Sequence, residues 1–199
     1  MKRSEVQPPP VREMHEIRIV GRGGHGVVTA GEMLGRAAVG ENRFAQSIPT
    51  FGPERRGALS SCTLRIGPEP ILLRCGPMRP DILLVLDPTI WKHLPVTLGL
   101  AEGATLVFNS AAAPAELAPE LRLDIGRYDV FTVNATAIGL EVLGRPIPNT
   151  AMIGAWVGAT GIVAMESVER VIEERFGAKA EANITAARTA RARLRRLGD

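Results

Sequence analysis

Cysteine is nearly absent. The 199 residues hold two, Cys62 and Cys75, which form no C-x-x-C pair. A disulfide scaffold is excluded, and an iron–sulfur cluster or structural zinc built wholly within this chain would lack its thiolates. Such usage fits a reducing cytoplasm. Aromatic residues make up only 4% of the chain, too few for the stacking platforms that hold single-stranded nucleic acid. No apolar run reaches the ~20 residues that span a bilayer. The longest weakly polar stretch, residues 151–165, is interrupted by glycines. The first residues, MKRSEVQPPPVREMHE, carry basic groups but no apolar segment behind them, so no secretory leader is expected. Complete catalytic sets are missing too: no serine sits in a nucleophile elbow, and no histidine pair has zinc spacing.

What is present is ordinary for a soluble globular protein, with 45% hydrophobic and 23% charged residues. Glycine (21) and proline (15) are plentiful, which favours tight turns and close backbone packing. The formal charge of +3 is concentrated at the end, where Arg188, Arg191, Arg193, Arg195 and Arg196 stand without an acid among them. We read them as the solvated last turns of a helix whose cations suit its C-terminal dipole, in preference to a nucleic-acid tail.

The pattern predicts a proline-rich extended arm over 1–14 and a single domain over 15–199. Expected strands are 15–20, 59–67, 70–76, 81–88, 104–110, a short one near 121–126, and 129–135. Expected helices are 26–39, a short one after 88, 135–144, 149–163, 167–177 opened by Ser167, and roughly 179–196. Residues 43–58 read as a long loop rich in proline and glycine. Continuous apolar strands alternating with helices give an α/β, Rossmann-like, mostly parallel sheet with helices on both faces. The pair 59–67 and 70–76, joined by GPEP, reads as an inserted β-hairpin.

Chemistry concentrates at two glycine-rich stretches. Gly21, Gly23 and Gly26 fit G-x-G-x-x-G between a strand and a helix, where free N–H groups favour an anion. The acid that should end the next strand and hold a ribose is missing: Glu41 has about the right spacing but precedes a loop. A glycine turn serving chain packing or a protein contact therefore outweighs a dinucleotide site. His25 lies inside the turn and could meet a phosphate or carboxylate, or stand exposed without a role, which the residues alone favour. Asp87 ends a strand where α/β folds place ligand groups; capping the next turn through Thr89 is the preferred reading. In FGPERRGA, Glu54, Arg55 and Arg56 stand between Gly52-Pro53 and Gly57. Two adjacent arginines can fork onto phosphate or carboxylate, or form an internal pair with the glutamate.

GRGGHGVVTAGEML together with FGPERRGA resembles the gamma subunit, or gamma domain, of 2-oxoacid:ferredoxin oxidoreductases. The likeness continues through PDILLVLDPT (80–89), NTAMIGAWVGATGIV (149–163), ESVERVIEERFG (166–177) and AEANITAAR (180–188). It implies a non-catalytic gamma subunit of a complex with alpha, beta and delta-type partners. Such complexes oxidatively decarboxylate a 2-oxoacid with coenzyme A and pass electrons to ferredoxin, or through a flavin subunit to NAD. Thiamine diphosphate, Mg2+ and 4Fe–4S clusters are implied for the complex, none held by this chain alone. The resemblance makes Gly23, Gly24, His25, Gly26, Glu54, Arg55, Arg56, Gly57 and Asn149 candidates for a subunit interface or for the channel of coenzyme A and substrate. Family turns commonly read Gly-Gly-Gln-Gly, and here His25 replaces the glutamine. Two other readings stay open: a stand-alone nucleotide-dependent reductase using the Gly21–Gly26 turn, and a pure scaffold.

Overall fold

The computed structural model describes residues 14–51, 59–76, 79–121 and 125–198. The expected arm falls almost entirely outside these residues. Among them, seven strands form one sheet in the order β2-β3-β1-β4-β5-β6-β7. The parallel centre is β1 (His15–Arg22), β4 (Ile82–Val85), β5 (Thr105–Asn109) and β6 (Asp129–Val133). Antiparallel strands flank it: β2 (Phe44–Phe51) and β3 (Leu59–Gly67) beside β1, and the two-residue β7 (Arg195–Arg196) beside β6.

The parallel strands read as unbroken apolar runs because each feeds two cores. In β4, Ile82 and Leu84 enter one apolar cluster while Leu83 and Val85 enter the other. The larger core lies under α1 (Val27–Val39), α3 (Ala135–Leu143), α4 (Asn149–Thr160), α5 (Met165–Phe176) and α6 (Ala180–Ala192). The smaller one is covered by the 3-10 turn Ile90–Lys92 and by α2 (Pro114–Leu121), which contribute Ile90, Trp91 and Leu117. Helices thus cover both faces, unequally.

The hairpin exists, but with different strands. β3 pairs with β2, Pro49 opposite Cys62, and not with 70–76. Residues 43–58 were expected to be a loop because proline and polar residues punctuate them; an edge strand tolerates a residue without an N–H. Residues 70–76 run as irregular chain, with Leu72 and Leu73 exposed. Their task is polar. Arg65, fully buried on β3, donates to the carbonyls of Cys75 and Gly76 at 2.8 and 2.9 Å, and to Glu16 Oε1 at 2.9 and 2.8 Å.

Four further expectations are corrected. Residues 114–121 form a helix where an alanine and proline loop was read, started by Pro114 and by Glu116 accepting from the Ala113 N–H at 2.8 Å. The strand near 121–126 does not form among the described residues: Leu121 ends α2 and Ile125–Arg127 is a 3-10 turn. Ser167 does not open α5, which begins after Ala164; Ser167 is buried inside it. The last helix stops at Ala192, and Arg195–Arg196 turn back to pair with β6. The terminal cations are occupied at home: Arg188 pairs with Glu169, Arg193 with Glu141 and Arg196 with Asp129, while Arg195 donates to the carbonyls of Ala111 and Ala112.

Candidate functional site

β1 and β4 are parallel neighbours, yet their chains leave in opposite directions. From β1 the chain passes through α1 to β2 and β3; from β4 it continues to β5 on the other side. A crevice opens at such a switch point, beyond the carboxyl ends of the strands. The register places Val20 opposite Val85, and the Leu86 N–H donates to the Val20 carbonyl at 2.8 Å. Arg22 and Asp87 are thereby brought together, each just past the parallel pairing.

Asp87 is the centre of the polar cluster. It is 2% exposed. Its Oδ1 accepts from the Thr89 backbone N–H and hydroxyl, both at 2.7 Å, which is the capping role expected of it. Its Oδ2 faces Arg22 Nε at 2.8 Å and His25 Nδ1 at 3.8 Å. Burial pushes this carboxyl up. The two Thr89 hydrogen bonds, with the charges of His25 and Arg22, outweigh that and hold it below the usual aspartate range.

The glycines divide their labour differently from the motif's usual assignment. A Cβ on Gly21 would lie 2.8 Å from Val27 Cγ2 and 3.3 Å from Leu86 Cβ, so Gly21 sets the strand-to-helix packing. Gly26 caps α1 with φ 76°, and a Cβ there would lie 2.5 Å from Asn149 Nδ2. The structure therefore brings the turn and Asn149, the first residue of α4, into direct contact. Gly24 has φ 100° and open space where a Cβ would stand; Gly23 is likewise exposed. His25 is not a free surface residue: its side chain is 32% exposed, yet Nδ1 is shut away from water and has no hydrogen-bond partner. Glu54, Arg55, Arg56 and Gly57 lie outside the described residues.

A dinucleotide reading loses its acid. The strand beside β1 on the α1 side is antiparallel β3, not the parallel strand whose end would hold a ribose. Glu41 is engaged elsewhere, with Oε1 accepting from the Ala164 N–H at 2.7 Å and so capping α5. Asp87 is close to the turn but buried, with both oxygens already engaged. Sequence reasoning missed Arg22, whose type carries no signal there, and the bridge made by Asn109. Asn109 Nδ2 donates to the Leu86 carbonyl and the Thr136 hydroxyl, both at 2.8 Å, tying the ends of β4 and β5 to α3.

Among the described residues, no group of three or more His, Cys, Asp or Glu is placed to hold a metal ion, and no helix is long and apolar enough to cross a membrane. Cys62 is buried 3.1 Å from the Ser47 hydroxyl, and burial raises its thiol pKa over the opposing hydrogen bonds from Ser47 and Ile48. Cys75 is exposed.

Residues 16–193 match the model of the family described as pyruvate ferredoxin/flavodoxin oxidoreductase. The chain is 43% identical over 178 residues to the pyruvate/ketoisovalerate oxidoreductases common subunit gamma of Thermococcus kodakarensis, covering 89% of this chain and 95% of that one. It is equally similar to pyruvate synthase subunit PorC of Methanocaldococcus jannaschii, at 43% over the same shares. Among solved structures, it superposes on pyruvate oxidoreductase subunit PORC of Thermotoga maritima with a TM-score of 0.82 and 32% identity, over 94% of this chain and 99% of that one. It also shares the fold of 31% of a longer 2-oxoglutarate:ferredoxin oxidoreductase from Magnetococcus marinus, with a TM-score of 0.71 at 16% identity over 92% of this chain.

Proposed function

The chain belongs to the pyruvate ferredoxin/flavodoxin oxidoreductase family as a gamma subunit of a 2-oxoacid oxidoreductase complex, and from that premise we propose that its glycine turn and the Asn149 end of α4 form one wall of the path by which coenzyme A reaches a reaction centre on other subunits. The overall reaction turns a 2-oxoacid and coenzyme A into acyl-CoA and carbon dioxide, releasing two electrons and a proton. Thiamine diphosphate with Mg2+, on alpha and beta-type subunits, would supply the nucleophilic carbon; 4Fe–4S clusters on a delta-type subunit would carry the electrons.

The observation that supports this division of labour is what the chain's own groups can do. Two cysteines cannot supply the four thiolates of a 4Fe–4S cluster. Asp87, the carboxylate beside the turn, is saturated by Thr89 and Arg22, so it cannot act as a general base or grip a ribose. What remains is an open, glycine-edged surface with a histidine at its rim and a neutral amide behind it, suited to guiding an anion. Arg55 and Arg56 belong to the same proposal, as anion or partner-subunit contacts. Pyruvate or a branched-chain 2-oxoacid is the expected substrate class. The Thermococcus relative's name makes it common to both oxidoreductases, which supports a reading in which side-chain selectivity lies on other subunits. A soluble cytoplasmic complex is the setting, with ferredoxin or a flavin-linked NAD subunit as acceptor.

Replacing Arg55 and Arg56 with alanine in the assembled complex tests the path. A raised KM for coenzyme A with intact assembly supports a channel role; lost assembly with an unchanged KM makes the loop an interface. If neither changes, the loop has no part. Titrating the isolated chain with NAD(P)H by fluorescence tests the stand-alone alternative, for which saturable binding would be required.

A further inference from the structure

The amino edge of the sheet has no part in the reading above, yet it carries the most exposed leucine among the described residues. Leu72 is 86% exposed and Leu73 43%. They belong to the chain between β3 and β4, which runs beside the start of β1, about 25 Å along that strand from the glycine turn. With Met14, Pro70 and Ile71 they line one surface depression. Phe44, also exposed, extends the patch. It lies opposite Gly67 and on the same face of β2 as Gln46, whose Oε1 accepts from Arg65 at 2.9 Å. The exposure does not come from a loose chain. β3 fixes the segment at Gly67. Arg65 fixes it again through the carbonyls of Cys75 and Gly76, and Glu16 Oε2 accepts from the Arg79 N–H at 3.0 Å. Pro68 and Pro70 restrict the backbone between these anchors. Apolar side chains held in water on a fixed backbone mark a surface meant for a partner.

We propose that Leu72 and Leu73 anchor a docking surface for another subunit of the complex, one that offers an apolar socket rimmed by carboxylates. The charge pattern selects that partner. Arg74 and Arg79 stand exposed beside the leucines, and among the described residues neither meets a carboxylate. Glu69 is the one acid between residues 68 and 76. Arginine and aromatic side chains around an apolar centre are the usual composition of a protein interface. A second copy of this chain fits less well, because a two-fold contact centred on Leu72 would set these arginines against their own kind. The pinned backbone favours docking too, since little conformational entropy remains to be lost. This rests on the chain's membership of the complex and not on the path of coenzyme A. Docking at the amino edge leaves the carboxyl edge, with its glycine turn, free to face the reaction centre.

The test uses the full chain and a complex prepared without it. Added chain restores turnover, and the concentration that gives half of the restored rate reads the affinity. Leu72→Asp with Leu73→Asp raises that concentration by about tenfold or more, and so does Arg74→Glu with Arg79→Glu. The rate at saturation, the KM for coenzyme A and the thermal midpoint of each isolated variant stay at their wild-type values. Hydrogen exchange at residues 71–76 slows in the complex relative to the free chain. An unchanged half-saturating concentration in the leucine variant, or unchanged exchange, overturns the proposal. A wild-type response in the arginine variant overturns the carboxylate rim and the partner chosen by it. A thermal midpoint lowered by Leu72→Asp shows the leucine covered within its own chain and overturns the exposed anchor. A wild-type dimer in sedimentation that Leu72→Asp dissociates gives the surface to a second copy and overturns the heterologous partner. A wild-type chain that restores nothing overturns its placement in the complex along with the proposal, whereas normal restoration by both wild type and variants overturns the proposal alone.

Discussion

At the scale of single residues, two glycines, two and four positions past the end of β1, separate two kinds of necessity. Gly24 and Gly26 both hold a positive φ, 100° and 76°. An alanine at either costs roughly 1–2 kcal/mol of backbone strain. At Gly26 the new Cβ would also strike Asn149, whereas at Gly24 it would meet nothing within 4 Å. Urea unfolding should therefore find Gly26→Ala the more destabilising of the pair, and Asn149→Gly should restore part of the loss. Asp87 gives a pH signature. Its folded carboxyl lies below the ordinary range, so the stability it contributes is complete above its unfolded pKa of about 3.9 and is lost as pH falls through the folded value. The gap in unfolding free energy between wild type and Asp87→Asn should stay level down to about pH 5 and close below about pH 4. Equal loss at pH 7 and at pH 3 would show that Asp87 acts through shape alone. Part of this site was legible beforehand: the turn's glycines and the Thr89 cap follow from residue type and spacing. The contact between Gly26 and Asn149 was not, because it joins positions 123 residues apart in a chain whose local pattern is indifferent to it.

Among elements, the errors of the sequence reading share one cause. Apolar periodicity reports strands that face a core, and it found β1, β3, β4, β5 and β6. β2 is an edge strand with Pro49 within it and an exposed Ser47, so its pattern resembles a loop. Residues 70–76 mislead in the opposite sense: Ile71, Leu72 and Leu73 look like a strand, but they lie on the surface while the backbone after them closes over Arg65. That burial is an ion pair no local pattern announces. Removing Arg65 would leave Glu16 charged and enclosed without its main partner, so Arg65→Ala should cost about 3–5 kcal/mol in urea unfolding. The helices offer a cleaner contrast. α4 was recognisable as a small-residue helix, and the reason is its crossing with α6: a Cβ on Gly154 would stand 2.0 Å from the Ala187 carbonyl oxygen, a backbone atom. Gly158, one turn on, faces Arg191 Cγ at 3.0 Å, a side chain able to move. Gly154→Ala should thus lower stability by roughly 1–3 kcal/mol, well beyond Gly158→Ala, as read by thermal unfolding of the two variants side by side.

For the whole molecule, the same facts decide what the chain can do alone. Among the described residues, several polar groups at the sheet's carboxyl edge are turned inward on one another: Asp87 to Thr89 and Arg22, Asn109 to Thr136, Asn134 to the Ala137 N–H, Ser110 to the Ala112 N–H. These bonds fix the loop positions and engage the side chains named. Its two thiols differ as well, one sealed beside Ser47 and the other on the surface. Anaerobic reconstitution of the isolated chain with iron and sulfide should accordingly develop no stable thiolate-to-iron absorption band, and the chain should release no carbon dioxide from pyruvate with coenzyme A. Adding it back to a complex prepared without it should restore turnover, with the restored rate saturating at stoichiometric gamma subunit. Turnover by the isolated chain would place a reaction centre among groups that the structure shows already engaged, and would overturn the division of labour drawn from them.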